Sequence, residues 1–275
     1  MSVPLAEPLL GRFEIKRGIG SGSVGTVLLA HDLQTGEDVA VKYNRQPQHK
    51  DVIQDEANTY TKIALDESLM GVTFPNLIWH GDVSAGTYML VWQELGPTLS
   101  DLKQFCGHKL SRNTVCQLGQ QIVQRLQCLH EKGYVHGSVK PLNICMGCGK
   151  AGHDVFLIDY GATSISNTRT PRTSSMWQSI NRLHGCEHGP RDDLESMIYT
   201  LFDLLGDTMP RDCHRDPQKK MLYGDAMAEK HGLTTLWVHV RNLCFGEPPD
   251  YNAIIQSHLV VKDTKPFDWV LLYKK

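Results

Sequence analysis

The residues best suited to chemistry lie in Tyr134-Val135-His136-Gly137-Ser138-Val139-Lys140-Pro141-Leu142-Asn143, followed by an apolar run ending in Leu157-Ile158-Asp159-Tyr160-Gly161. A His-x-x-x-Lys-x-x-Asn loop followed by Asp-aromatic-Gly is a phosphoryl-transfer layout. In that layout the Asn and the second Asp hold magnesium and the Lys meets phosphate. An Asp two residues after the His accepts the hydroxyl proton. Here that last position is Ser138. A serine hydroxyl is neutral at pH 7 and cannot act as a carboxylate base. The sequence thus carries the transfer machinery with one part replaced.

A second group of residues could grip a nucleotide. Gly20-Ser-Gly22-Ser-Val-Gly25-Thr-Val27 is a Gly-x-Gly-x-x-Gly-x-Val loop. Glycines allow backbone amides to approach phosphates because no Cβ intervenes. The same spacing serves dinucleotide sites, for which Asp38 stands at a tolerable distance, but those glycines must open a helix. Thr-Val-Leu-Leu-Ala follows Gly25 and reads as a strand; an ordinary glycine hairpin is the plain alternative. Val39-Ala40-Val41-Lys42 then places a strand lysine where it can hold α- and β-phosphates, fixed by a helix carboxylate, for which Glu56 is the candidate. A lone lysine or glutamate would be an ordinary surface charge. The ordered set Gly20–Gly25, Lys42, Glu56, Asn143 and Asp159 is hard to obtain by coincidence.

Elements that could position these groups follow from periodicity. Phe13–Gly18, Thr26–His31 and Glu37–Tyr43 read as strands rich in Val, Ile and Leu. A helical pattern runs from about Val52 to Leu65, and Pro75 precedes two more strands, Leu77–His80 and Tyr88–Gln93. Gly96-Pro97 is a natural hinge. Beyond it Val115, Leu118, Ile122, Leu126 and Leu129 share one helical face, with Ser111 as N-cap and Gly133 as stop. A strand pair is expected around Ile144 and Phe156–Ile158, then a polar segment from Ala162 to Ser175. Leu194–Leu205, Thr234–Phe245 and Tyr251–Val260 read as helices. The expected fold is α+β and bilobal: one domain over 1–275, with a small β-rich lobe to about residue 95 and a larger helical lobe from about 96.

With 275 residues the chain can bury a sizeable core. A net charge of −2 gives no field that would draw it to nucleic acid or a membrane surface. No apolar run approaches the roughly 18 residues of a membrane span, and MSVPLAEPLLGRFEIK has no signal-peptide pattern. The eight cysteines are scattered and read as reduced thiols of a cytoplasmic or nuclear protein. Cys145-Met-Gly-Cys148 with His153 could supply half a zinc site, but two more ligands are needed. Cys186/His188 and Cys213/His214 show no matching spacing, so strand and turn is the simpler reading.

Together these motifs resemble the casein kinase 1 family, from about Phe13 to Trp269. Gly20–Val27 matches its glycine loop, Glu56-Ala-Asn-Thr-Tyr60 its Glu-x-x-x-Tyr helix, and Glu94-Leu-Gly-Pro-Thr-Leu99 its hinge segment. Ser179-Ile-Asn181, Arg191-Asp-Asp-Leu-Glu-Ser196, Pro249-Asp-Tyr251 and Phe267-Asp-Trp269 are similar to its large-lobe signatures. Tyr134-Val-His-Gly137 and Asp159-Tyr-Gly161 look more like vaccinia-related kinases. The resemblance implies a two-lobed kinase fold with ATP and Mg2+ in a cleft. Ile19, Gly20, Gly22, Gly25, Val27, Ala40, Lys42, Glu56, Trp92, Glu94 and Leu95 would line the ATP pocket, and Asn143 and Asp159 would hold the metal. Lys140 would act in the catalytic loop and Ser138 would occupy the degenerate base position. Trp92 would be the gatekeeper, and Asp193 would brace the catalytic loop.

Both relatives keep an acidic residue where this chain has Ser138. The interval from Asp159 to Ser179 is shorter than the family's activation segment, and Thr173-Ser-Ser-Met176 replaces its Gly-Thr-Ala-Arg stretch, removing a basic residue. Positioned general-base catalysis is worth about 10²–10⁴-fold, so loss of the base alone leaves slow transfer, while loss of the substrate platform leaves less. The sequence therefore reads as a pseudokinase that retains a nucleotide pocket and acts by binding a protein partner. The alternatives are a slow Ser/Thr kinase and a scaffold with an empty pocket.

Overall fold

In the computed structural model residues 8–22, 24–64, 74–166, 175–261 and 265–273 are described. The chain divides into two units, one reaching Gly96 and including Gly147–Gly152, the other comprising Pro97–Met146 and the chain from His153. The division falls at the Gly96-Pro97 step, and the short Gly147–Gly152 segment joins the first unit although the sequence reading kept it with the second.

The first unit is an antiparallel five-stranded sheet with one long helix. Its elements are β1 (Phe13–Ser21), β2 (Gly25–Asp32), β3 (Glu37–Asn44), α1 (Lys50–Ala64), β4 (Leu77–Ser84) and β5 (Thr87–Gln93), in sheet order β1-β2-β3-β5-β4. Side chains alternate across a strand, and this sorts the sheet's faces. Phe13, Leu28, Ala30, Val39, Val41, Met89 and Val91 form one apolar layer. The intervening Ala40 and Lys42 therefore lie on the other face. There Trp92 stacks on Tyr60 of α1, with ring centroids 6.3 Å apart. Leu65, at the expected end of this helix, is outside the described residues.

The second unit is mainly helical. It comprises α2 (Leu99–Phe105), α3 (Arg112–Glu131), β6 (Tyr134–Val135), β7 (Ile144–Met146), β8 (Val155–Leu157), β9 (Ser164–Ile165), α4 (Ile180–Leu183), α5 (Pro190–Leu204), α6 (Pro217–His231), α7 (Thr234–Asn242), α8 (Tyr251–Ala253) and α9 (Asp268–Tyr273). In α3 the expected stripe Val115, Leu118, Ile122, Leu126 and Leu129 is buried. Ser111 caps it by accepting from Thr114 N at 3.3 Å. Strands β7 and β8 pair as expected, Ile144 opposite Leu157.

Several elements differ from the sequence expectation. Helix α2 was not foreseen, although Thr98 and Asp101 form a reciprocal capping box at its start. Helix α6 was missed because its buried positions, Lys220, Gly224 and Ala228, make no apolar stripe. A Cβ on Gly224 would sit 2.3 Å from Trp237, so the glycine is what lets α6 and α7 approach. Helix α7 ends at Asn242 rather than Phe245, and the Tyr251–Val260 stretch is a three-residue helix followed by a π-turn over Ile254–His258. The two-residue pair β6–β9 is too short to show periodicity. No helix of the described residues is long and apolar enough to cross a membrane.

Candidate active site

In the first unit, the glycine loop is largely a continuation of the β1–β2 hairpin: Gly20 lies opposite Val27 and Ser21 opposite Thr26. Gly25 opens a strand rather than a helix, which removes the dinucleotide alternative. The three glycines have different reasons. A Cβ on Gly25 would meet the Tyr43 carbonyl at 2.7 Å, so sheet packing requires it. Gly20 and Gly22 meet nothing closer than 3.6 Å and keep negative φ, so nothing among the described residues demands glycine there. Close approach of a ligand to the backbone would. Ile19 is exposed, Val27 half-buried and Ala40 buried. Asp38 bonds Lys16 at 2.5 Å and His31 at 2.9 Å, a cross-strand tie.

Lys42 on β3 donates to Glu56 Oε2 on α1 at 2.6 Å, and the Glu56 side chain is almost wholly buried. Removing one partner of such a pair is far costlier than never having had it. Trp92 is buried against Tyr60, while Glu94 and Leu95 are half-buried in the segment after β5.

In the second unit, a buried carboxylate holds the loop from His136 to Asn143. Asp193, near the start of α5, accepts from His136 N at 2.6 Å and Gly137 N at 2.9 Å. His130 Nε2, from the end of α3, lies 2.9 Å from the same carboxylate, and its Nδ1 is 2.7 Å from the Tyr251 hydroxyl. Burial alone would raise the Asp193 pKa. The His130 hydrogen bond, with His188 and His136 nearby, outweighs it and holds the carboxyl well below its ordinary range. Burial pushes His136 and His188 down, toward the neutral form, against the pull of Asp193.

On this brace sit the candidate site residues. Asn143 Nδ2 donates to the Ser138 carbonyl at 3.0 Å, to Ser138 Oγ at 2.9 Å and to Asp159 Oδ2 at 3.2 Å. The structure therefore brings Ser138, Asn143 and Asp159 into one cluster. Asp159 has φ 68° and ψ 67°, a left-handed conformation costly for a residue with a Cβ. Gly137 also has positive φ, and a Cβ there would meet the Ala162 carbonyl at 2.6 Å and His188 Cε1 at 3.0 Å. Lys140 is half-buried and lines a separate cavity of about 210 Å3 with Ser100, Lys103, Leu142 and Trp177.

The Arg191–Ser196 signature is also a clasp. Asp192 accepts from the Ser179 hydroxyl at 2.5 Å and Gly189 N at 2.8 Å. Glu195 accepts from Ile180 N at 2.8 Å and the Tyr199 hydroxyl at 2.7 Å, and pairs with Arg241 at 2.6 Å.

A protein kinase domain model matches residues 13–254. The chain belongs to the protein kinase domain family. Its antiparallel sheet and helical second unit are the bilobal α+β architecture of that family, and a kinase domain generally binds ATP and Mg2+. The residue types fit the metal: Asp159 and Asn143 each carry a hard oxygen of the kind Mg2+ prefers, and they lie side by side, with Asn143 Nδ2 donating to Asp159 Oδ2 at 3.2 Å. In the zinc alternative, Cys145 is buried in β7 and Cys148 is exposed.

Sequence reasoning did not single out His130 or the strain at Asp159, and it weighed His188 only as a zinc ligand. His130 and Asp193 are 63 residues apart, and nothing local marks them as partners. A histidine one step from the apolar stripe of α3 was the available signal. Residues 167–174, within the segment expected to shape the substrate platform, are outside the described residues. Of that segment, Ser164–Ile165 pairs with Tyr134–Val135, and Met176 is held by a hydrogen bond from the buried Lys220 at 2.6 Å.

Proposed function

We propose that this kinase domain is a casein kinase 1-like pseudokinase that binds ATP and Mg2+ and acts, in the cytoplasm or nucleus, as a nucleotide-responsive regulator or scaffold for a protein partner. The observation that carries the reading is Ser138. Its hydroxyl sits at the position of the proton acceptor, held by Asn143 at 2.9 Å, and it is neutral where a carboxylate is needed. The retained ion pair Lys42–Glu56, the open glycines Gly20 and Gly22, and the Asn143–Asp159 donor pair support nucleotide binding. Lys42 would meet the α- and β-phosphates; Asn143 and Asp159 would hold Mg2+, which neutralises phosphate charge when bound.

The test is thermal unfolding with ATP, with and without Mg2+. Ligand at 100 times its dissociation constant stabilises a fold by about 2.7 kcal/mol. The expected result is a shift that magnesium enlarges and that Lys42→Ala or Asp159→Ala removes. A melt that does not move in millimolar Mg-ATP sinks the nucleotide part and leaves the scaffold. The second reading, a slow Ser/Thr kinase, is favoured by the same intact Lys42–Glu56 and Asn143–Asp159 pairs. Turnover near one per second, abolished by Asp159→Ala, would establish it in place of the pseudokinase.

A further inference from the structure

Beneath the catalytic loop, within the second unit alone, lies a cavity of about 360 Å3. Its wall includes Gly137, Thr163, Gln178, Ser179, His188 and Asp192. That volume is many times the roughly 30 Å3 share of one water molecule and lies at the lower end of the 300–1,000 Å3 typical of small-molecule sites, as a rough guide.

Two of its side chains are buried and carry polar atoms without a hydrogen-bond partner among the described residues. Gln178 is 8% exposed, and neither Oε1 nor Nε2 has a hydrogen-bond partner among the described residues. His188 is 4% exposed, and its Nδ1 likewise has none. Buried polar atoms are rarely left unpaired, because each then loses its hydration without a hydrogen bond in return. The other polar groups of the wall are engaged. Asp192 accepts from Ser179 and Gly189, Thr163 Oγ1 donates to the His136 carbonyl at 3.3 Å, and Arg182 donates to the Cys186 carbonyl at 3.2 Å.

The idle atoms define a complement. Gln178 offers one amide donor group and one acceptor. His188 Nε2 faces Asp193 Oδ1 at 3.9 Å, which favours the tautomer with its proton on Nε2 and leaves Nδ1 as an acceptor. The missing partner must therefore supply one acceptor and two donors. The carboxylate of Asp192 and the guanidinium of Arg182 balance in formal charge, so the wall selects a neutral group over an anion. Gly137, Gly161 and Ala162 provide a small-residue wall for a flat apolar body.

We propose that this cavity is a ligand site for a small neutral molecule bearing a primary carboxamide, whose carbonyl accepts from Gln178 Nε2 and whose two N–H groups donate to Gln178 Oε1 and His188 Nδ1. A ligand there touches Gly137, adjacent to Ser138, and Gly161–Thr163, just after Asp159, so its occupancy bears directly on both chain segments that carry the candidate metal donors. The proposal does not depend on nucleotide binding.

The probe is benzamide, with benzoate as control: the same ring, without the donors and with a charge. Calorimetric titration of the full chain should show saturable binding of benzamide. Benzoate should bind at least about tenfold more weakly, and Gln178→Leu should weaken benzamide by about tenfold or more, because two hydrogen bonds are lost. Gln178→Leu should unfold at the same or a higher temperature, since an unpaired amide is removed from the interior. Absence of saturable benzamide binding, equal binding of benzoate, or unchanged binding to Gln178→Leu overturns the proposal. Should the variant not fold, the wild type decides alone. The side-chain NH2 signal of Gln178 and the ring nitrogens of His188 must shift on benzamide titration, and unmoved signals, as when the cavity holds only water, overturn it.

Discussion

Two side-chain pairs, one in each unit, contrast sharply. Lys42–Glu56 joins two full charges at 2.6 Å, with the Glu56 side chain almost wholly buried. Asn143–Ser138 joins two neutral groups at 2.9 Å, at a half-exposed position. Folding itself guards the first, because either charge without its partner destabilises the sheet and helix it ties together. It does not guard position 138, where the side chain can change at little cost to the fold. Asp193 belongs with the first kind: buried, charged, and holding the loop backbone. Lys42, Glu56 and Asp193 are thus tied into the fold by buried charge, whereas Ser138 is held, among the described residues, by neutral hydrogen bonds alone.

The largest expected effect is at the brace. Asp193→Ala removes the acceptor of two loop N–H groups and the partner of His130. It should cost about 3–5 kcal/mol in urea unfolding at neutral pH; a loss below about 1 kcal/mol would refute the bracing role. Because the folded pKa is depressed, this stability is present above the unfolded carboxylate pKa of about 3.9. It fades as pH falls below that value, so wild type and variant should converge in acid.

Next is the ion pair. Lys42→Met should destabilise by about 3 kcal/mol by the same measurement, whereas a neutral result would place Lys42 among ordinary surface charges and dissolve the contrast drawn above. A third effect concerns Lys220, wholly buried, with Nζ 4.5 Å from the Tyr199 ring centre. Burial lowers its pKa to about 8. Between there and its ordinary value near 10.5 the unfolded chain holds more protons, so wild-type stability should rise with pH. Relative to Lys220→Met the rise should be roughly 2 kcal/mol between pH 8 and 9.5. Parallel pH profiles for the two proteins would show that Lys220 stays charged at its ordinary pKa.

The smallest effect on the fold is expected at Ser138. Ser138→Asp should change stability by no more than about 0.5 kcal/mol and leave ATP affinity in place. Transfer to a protein substrate should rise by far less than the roughly 10²–10⁴-fold a positioned base can give, because misplacing the reacting group by about 1 Å itself costs on the order of 10²-fold. Full rescue would show that Ser138 is the only lesion and that the short segment after Gly161 leaves the platform whole.

Much of the architecture was legible in local pattern. The α3 stripe repeats every three or four residues, so its burial follows from the period, and β3 alternates Val39 and Val41 toward the apolar layer with Ala40 and Lys42 toward the opposite face. Helix α6 was illegible because its inward face is Lys220, Gly224 and Ala228, chosen to admit Trp237 and to reach the Met176 carbonyl rather than to be apolar. Helix α2 did carry a readable Thr98–Asp101 cap, but only two buried leucines followed it.

By itself the sequence determined which chemical groups are present and in what order: glycine loop, strand lysine, helix glutamate, Ser138, Asn143 and Asp159. These are read from covalent neighbours, within spans of a few residues. Tertiary structure alone decided which distant groups share a charge or a hydrogen bond. It gave Asp193 to His130, 63 residues away, fixed the amides of His136 and Gly137 as the points where the expected brace takes hold, turned Asp159 into a left-handed conformation, and left Gln178 and His188 Nδ1 without hydrogen-bond partners among the described residues in one cavity. Burial raises the cost of an unpaired polar group, and burial is a property of the folded surroundings that no short stretch of chain contains.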